Sequence, residues 1–264
     1  MSVLERFETY KLVCEGGLNS NNNYIMLSDR FPGQATDLIN FEPALYGGYR
    51  RINGYADLIP ASHPVTSGKI LGIFIYDNKV RVFCRENFAA TYSLKSADLS
   101  GGVWDNEGVT RTSNTSDFFR VRTNQFNFDG TDRVIITDGQ TYAGLLDTAM
   151  DYYEIDSTNT GASFADAGGD QALDSPAFCE IFQNHVFVAG DPNYPHILAH
   201  SAPEAPEDWT AASGAGQIPV GFKIKFIKAF RDELFIWGDK DIKKIVVDGT
   251  NFLLKDVAKN LALS

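Results

Sequence analysis

Four stretches of this 264-residue chain repeat one pattern: an apolar run, a corner rich in Asn, Asp or Gly, and a second apolar run. The first is Ile73-Phe74-Ile75-Tyr76, then Asp77-Asn78-Lys79, then Val80-Arg81-Val82-Phe83. The second is Gln125-Phe126-Asn127-Phe128, then Asp129-Gly130-Thr131-Asp132, then Arg133-Val134-Ile135-Ile136. The third is Cys179-Glu180-Ile181-Phe182, then Gln183-Asn184-His185, then Val186-Phe187-Val188-Ala189. The fourth is Ile227-Lys228-Ala229-Phe230, then Arg231-Asp232-Glu233, then Leu234-Phe235-Ile236-Trp237. Each reads as a β-hairpin on its own chemistry, because the flanking residues favour strands and the corner residues tolerate a tight reversal.

The corners fall near Asn78, Gly130, Asn184 and Asp232, at intervals of 52, 54 and 48 residues. After each hairpin comes a third strand-like segment: 90–94, 141–145, 197–200 and 242–247. A weaker fourth follows, as at Tyr152-Tyr153-Glu154-Ile155 and Asn251-Phe252-Leu253-Leu254. A second echo is Ser96-Ala97 eight residues before Trp104 and Ser201-Ala202 eight before Trp209, two periods apart.

Four strands every 50 residues or so are the signature of β-propeller blades. A lone blade is apolar on both faces, and stacking around an axis buries those faces. A two-sheet sandwich also uses many short strands, but gives no reason for a constant period. The expectation is therefore an all-β chain: an N-terminal arm or irregular blade over residues 1–66, then propeller blades over 67–264. Propellers have 4–8 blades, and the sequence reads as the N-terminal part of a longer chain.

Composition agrees with this. Aromatic residues make up 12%, with 19 Phe and 11 Tyr, and 23 Gly supply turns. The formal net charge of −11 argues against specific nucleic-acid binding, which depends on Lys and Arg. No run approaches the roughly 20 apolar residues of a membrane helix, and the opening MSVLERFETYKL lacks the apolar block of a secretory signal. Cys14, Cys84 and Cys179 are three in number and far apart, so they read as reduced thiols.

The search for chemistry returns little. His196 and His200 are four apart near Asp191, but no Glu or Cys completes a metal pattern. No Gly-x-Ser-x-Gly elbow or phosphate loop occurs. Ser96, Asp98 and Trp104 nearly make the fold-stabilising Asp box of sialidase-type propellers. The acidic loop from Asp147 to Asp174 has oxygen ligands that calcium would accept, without EF-hand spacing. Phe118-Phe119, Phe182 and Trp237 read as blade core. The chain is therefore expected to be non-enzymatic, with no catalytic residue, metal or cofactor.

One stretch remains: Ala44-Leu45-Tyr46-Gly47-Gly48-Tyr49-Arg50-Arg51-Ile52-Asn53-Gly54-Tyr55, a basic aromatic corner in an acidic chain. The Gly pair permits a sharp reversal. The arginines could pair with local acids such as Glu42 and Asp57. Alternatively Tyr49, Arg50, Arg51 and Tyr55 could anchor a neighbouring subunit, since Tyr and Arg are enriched at interfaces.

That corner belongs to a series: Gly16-Gly17-Leu18-Asn19, Phe31-Pro32-Gly33-Gln34-Ala35, Asn40-Phe41-Glu42-Pro43 and Gly47 to Tyr55. The series resembles the start of tailed-bacteriophage virion proteins of the tail stabilisation, hub or nozzle type. The late segment 251–260 resembles their blade junction. The Asn-rich stretch from Ser20 to Asn23 departs from the usual apolar opening. The resemblance implies a structural subunit of a phage tail, assembled in the host cytoplasm and located in the virion. Its partners would be other tail proteins and copies of itself in a symmetric ring. The alternative is a glycan- or receptor-binding propeller at the tail tip, with Trp104 or Trp209 as its platform.

Overall fold

Two adjacent residues with positive φ are what a two-residue hairpin needs to follow the right-handed twist of its strands. The chain makes that choice repeatedly: Asp77 and Asn78, Asp129 and Gly130, and Gln183 and Asn184 all have φ between 45° and 81°. At the fourth corner Arg231 has φ 56°. The computed structural model describes residues 41–43, 49–51, 59, 62–87, 89–113, 119–147, 152–155, 174–249 and 251–259.

By contact density the chain divides into two units, Met1–Asp57 and Leu58–Ser264. In the first, β1 (Phe41–Pro43) pairs antiparallel with β2 (Tyr49–Arg51). The second contains four sheets. Sheet 1 is β3 (Gly68–Tyr76), β4 (Lys79–Glu86), β5 (Thr91–Asp98) and β6 (Asp105–Thr112). Sheet 2 is β7 (Arg122–Phe128), β8 (Thr131–Thr137), β9 (Gly144–Leu146) and β10 (Tyr152–Glu154). Sheet 3 is β11 (Phe178–Phe182), β12 (His185–Ala189), β13 (Ile197–His200) and β14 (Gly216–Pro219). Sheet 4 is β15 (Phe226–Phe230), β16 (Glu233–Trp237), β17 (Ile242–Asp248) and β18 (Asn251–Ala258). Each sheet is antiparallel, and its strands lie in sequence order.

First strands of successive sheets touch: β3 with β7, β7 with β11, and β11 with β15. Between the faces lie three apolar cores. Sheets 1 and 2 enclose Leu71, Phe83, Tyr92, Leu94, Val134 and Ile136. Sheets 2 and 3 enclose Phe128, Ile135, Leu145, Val186, Val188 and Trp209. Sheets 3 and 4 enclose Phe182, Phe187, Leu198, Leu234, Ile236 and Ile245. Four-stranded sheets stacked face to face, with their first strands gathered together, define a β-propeller of four-stranded blades. Burial on both faces explains why second strands such as Val186-Phe187-Val188-Ala189 read as continuous apolar runs.

One glycine shows how tightly the first two blades meet. A bulge at Leu71 in β3 turns that residue into the core, and the Leu71 carbonyl accepts a hydrogen bond from Val121 N at 2.9 Å. A Cβ at the next residue, Gly72, would sit 2.5 Å from the Val121 carbonyl oxygen. Only glycine fits this approach without moving a strand.

The Ser-Ala…Trp echo is shifted by one residue. Ser96 pairs with Arg81, the third residue of β4. The third residue of β12, Phe187, pairs with His200 rather than Ser201. Ser96 and His200 are therefore the structural counterparts.

Candidate functional site

The basic corner forms a short hairpin. Phe41 stands opposite Arg51, Glu42 opposite Arg50, and Pro43 opposite Tyr49. Tyr49, Arg50 and Arg51 thus share one strand, with the acid of the local-pairing alternative directly across from Arg50. Tyr55 and Asp57 lie outside the described residues.

The most charged interior position lies between sheets 1 and 2. Arg111 on β6 is buried, with its Nε 3.5 Å from the Asp138 carboxylate and 3.9 Å from Glu154. Its Nη2 donates to Thr141 Oγ1 and to the Tyr142 carbonyl. Tyr92 donates its hydroxyl to Asp138 Oδ2 at 2.6 Å. Burial pulls the Arg111 pKa down, but Tyr92, Tyr152, Asp138 and Glu154 together raise it above the ordinary value. Burial pushes the Tyr92 and Tyr152 hydroxyls up against the lowering effect of Arg111. The cation stays charged and the phenols stay protonated. The network is a fixed ionic brace between blades rather than an acid–base pair.

Along the first strands, Glu180 on β11 gathers neighbours from both sides. Lys228 on β15 donates to it at 2.9 and 3.1 Å, and Asn124 on β7 at 3.2 Å. Three blades are thereby tied through one carboxylate. A cleft of about 400 Å³ between β3 and β7 is lined by Ile75, Tyr76, Asp77, Gln125, Phe126, Asn127 and Asp132. Asp77 and Asp132 are its acids.

The other sequence candidates separate. His196 is exposed and His200 is buried against sheet 4, so the two do not converge. His200 stacks edge-on with His185 and Phe252, and burial lowers its pKa to about 4. Among the described residues no group of three His, Cys, Asp or Glu could hold a metal ion. Of the acidic loop, Asp147 sits 3.4 Å from Arg133, while Asp151, Asp156, Asp166 and Asp170 lie outside the described residues. Trp209 is fully buried, and its indole donates to the Pro206 carbonyl at 2.9 Å. This corrects its place in the glycan alternative, because a buried indole offers no platform to a sugar. Trp104 is half-buried. Phe119 and Phe182 are core, Trp237 is half-buried, and Phe118 lies outside the described residues.

Cys84 and Cys179 are free thiols. Burial pushes the Cys179 thiol up to about 11, and the thiol points to the Ile135 carbonyl oxygen at 4.0 Å. A thiol that holds its proton so firmly is a poor nucleophile. Cys14 lies outside the described residues.

Sequence reasoning missed Asp138 and considered Asp191 only beside His196 and His200, not as a turn residue. Asp138 Oδ1 accepts from the amides of Gln140 and Thr141, at 2.8 and 3.0 Å. Asp191 Oδ1 accepts from Asn193 and Tyr194, and its Oδ2 from Ser175 N. Both aspartates follow the second strand of their blade and close the turn to the third. The signal was present: Asp138, Asp191 and Asp239 recur with the blade period.

No protein-family model matches the sequence, and comparison with curated proteins returns no match. Solved structures with similar folds include the Pan2 WD40 domain of Neurospora crassa, at 8% identity and TM-score 0.40, matching 74% of this chain and 52% of that one. Kluyveromyces lactis Hsv2p matches at 9% identity and TM-score 0.39, over 71% and 51%. The AfRom2 CNH domain matches at 11% identity and TM-score 0.40, over 86% and 64%. The chain spans between half and two thirds of the length of these three.

Proposed function

We propose that this protein is a non-enzymatic structural subunit of a phage tail, of the hub, nozzle or stabilisation type. In this reading it assembles into a symmetric ring and contacts other virion proteins. The supporting observation is the β1–β2 hairpin. Parts of two of the segments that carry the resemblance, Phe41–Pro43 and Tyr49–Arg51, come together in it as paired strands. Tyr49, Arg50 and Arg51 are then one short strand offered to a neighbouring subunit. In the second unit, the ionic contacts of Arg111 with Asp138 and of Lys228 with Glu180 join blades. Among the described residues no helix is long and apolar enough to cross a membrane.

The reading is tested on particles. An antibody raised against the chain should decorate the tail in electron micrographs, and the chain's mass should appear in purified virions at a multiple set by ring symmetry. Its absence from purified particles, with the chain present in infected-cell lysate, overturns the proposal. In assembly, Arg50→Glu with Arg51→Glu should leave the β-rich circular dichroism spectrum unchanged and abolish incorporation into particles.

A further inference from the structure

Sheet 4 is seated on sheet 3 by one ring in particular. Phe252 of β18 lies opposite Val247, near the tip of the β17–β18 hairpin, and packs into the core that the two sheets share. Four rings of sheet 3 surround it. The centroid distances are 6.3 Å to Phe182, 5.0 Å to His185, 5.2 Å to Phe187 and 5.0 Å to His200. Half of this socket is imidazole. The buried clusters between sheets 1 and 2 and between sheets 2 and 3 contain no histidine among the described residues. The hairpin is also the outer edge of its sheet, joined to the rest through β17 alone.

The two imidazoles depend on each other. His185 Nδ1 and His200 Nδ1 both donate to the Ser201 carbonyl oxygen, at 2.6 and 3.1 Å. A carbonyl only accepts, so each neutral ring carries its proton on Nδ1. The ring centroids are 5.3 Å apart. Other elements meet the pair with uncharged groups: Phe182 of β11 pairs with His185, Gly216 of β14 with His200, and Phe252 comes from β18. Among the described residues, the ionisable groups that act on the pair are Glu204, on His185, and His185 itself, on His200. The Glu204 carboxylate is already held by the Asn184 side chain and the Asp129 amide. Protonating both rings would set two like charges side by side on one carbonyl, against Phe187 and Phe252. Burial and a neighbouring like charge both oppose that state.

We infer that the tip of the β17–β18 hairpin is a latch that acid opens: Phe252 leaves a socket half built of imidazole when His185 and His200 take up protons, while sheets 1 to 3 stay stacked. Once Phe252 withdraws, water reaches both rings and they titrate in their ordinary range. The open form therefore gains on the closed one as pH falls below 6.5. Opening uncovers Phe182 and Phe187, which are hidden at neutral pH. The brace at Arg111 takes no part, because its cation stays charged and its phenols stay protonated across this range. The inference is independent of the virion reading and does not use the Tyr49 to Tyr55 corner.

Hydrogen exchange on the intact chain, read by mass spectrometry at pH 7.5 and 5.0 with intrinsic rates divided out, tests the latch. Aspartates and glutamates ordinarily titrate below that window. His63 and His196 are exposed in the folded chain, so they do not distinguish its two forms. A ring that is neutral when seated and titrates at 6.5 when released raises the opening constant about thirtyfold between the two pH values. Protection in peptides from β17 and β18 should therefore fall by about thirtyfold or more. That exchange should not respond to urea below about 1 M, because a local opening exposes little surface. Exchange in β8 and β9 should accelerate with urea, as global unfolding requires. His185→Phe with His200→Phe should remove the pH dependence from β17 and β18. The wild-type experiment decides the matter even if that double variant does not fold. Protection in β17 and β18 that ignores pH overturns the inference. So does exchange there that follows urea as steeply as in β8 and β9, or a folded double variant that keeps the pH dependence.

Discussion

Sheet 2 forms one wall of two apolar interfaces, and one of them also encloses a buried cation. Toward sheet 1 it meets a buried cation, Arg111, with Asp138, Tyr92 and Tyr152 around it. Toward sheet 3 its core is apolar, from Phe128 and Ile135 to Val188 and Trp209, and the polar contacts come from the first strand, Asn124 to Glu180 and Arg122 to the Ala177 carbonyl. Apolar burial is strong but indifferent to orientation. A buried ion pair adds little net stability, because desolvation offsets its attraction, yet it is costly to break on one side only. The ionic interface is therefore the less forgiving of single changes, while the apolar one depends on volume.

The largest effect is expected from Asp138→Leu. It leaves Arg111 buried without its nearest anion, strips Tyr92 of its acceptor and orphans the amides of Gln140 and Thr141. The loss should be about 5 kcal/mol in urea denaturation. Adding Arg111→Met should recover at least about 1 kcal/mol of it. A double variant as weak as the sum of the single ones would show that the two groups are not coupled.

Trp209→Ala tests the apolar side and should cost about 4 kcal/mol through lost burial and the cavity left behind. If Val188→Ala in the same cluster costs as much as Asp138→Leu, the contrast between the interfaces is lost.

The third interface sharpens the contrast, because it sets an ionisable ring among aromatic ones. His200 folds with a pKa near 4, below its ordinary 6.5. Between those values the unfolded chain takes up the proton and the folded chain does not. Stability is fully present above pH 6.5 and falls as pH drops toward 4, by on the order of 3 kcal/mol. Urea midpoints at pH 7.5 and 4.5 measure this, and His200→Phe should flatten the difference. His185 faces the same ring and is shifted in the same direction, so some slope should remain. An unchanged slope in His200→Phe would remove His200 from the account.

The smallest effect belongs to Lys228→Gln. Its pair with Glu180 is half open to water, so the loss should stay under about 1 kcal/mol.

Much of the architecture was legible because a hairpin is local. Ile197–His200 matches its expected third strand residue for residue, and the corners at Asn78, Gly130 and Asn184 carry the positive φ that their residue types permit. The ionic brace was not legible. Arg111 lies on the edge strand of its sheet, and its partner Asp138 comes near only when two blades stack. Periodicity along a chain reports which residues share a face, not what that face will meet. The Ser-Ala…Trp echo failed for the same reason: equal spacing in sequence hid a one-residue difference in pairing. The basic corner was legible as a hairpin and no further, because what would bind such a strand is written in the partner.

Every strand in these blades is hydrogen-bonded to the strand just before or just after it in the chain. A growing polypeptide can therefore knit each blade as soon as its four strands have left the ribosome, with little loop-closure entropy to overcome. Each finished blade keeps one greasy side uncovered until its successor is made. Synthesis from one end to the other becomes a relay in which the newest sheet shelters the one before it. A pause between blades would leave a single vulnerable surface rather than a whole unfolded chain.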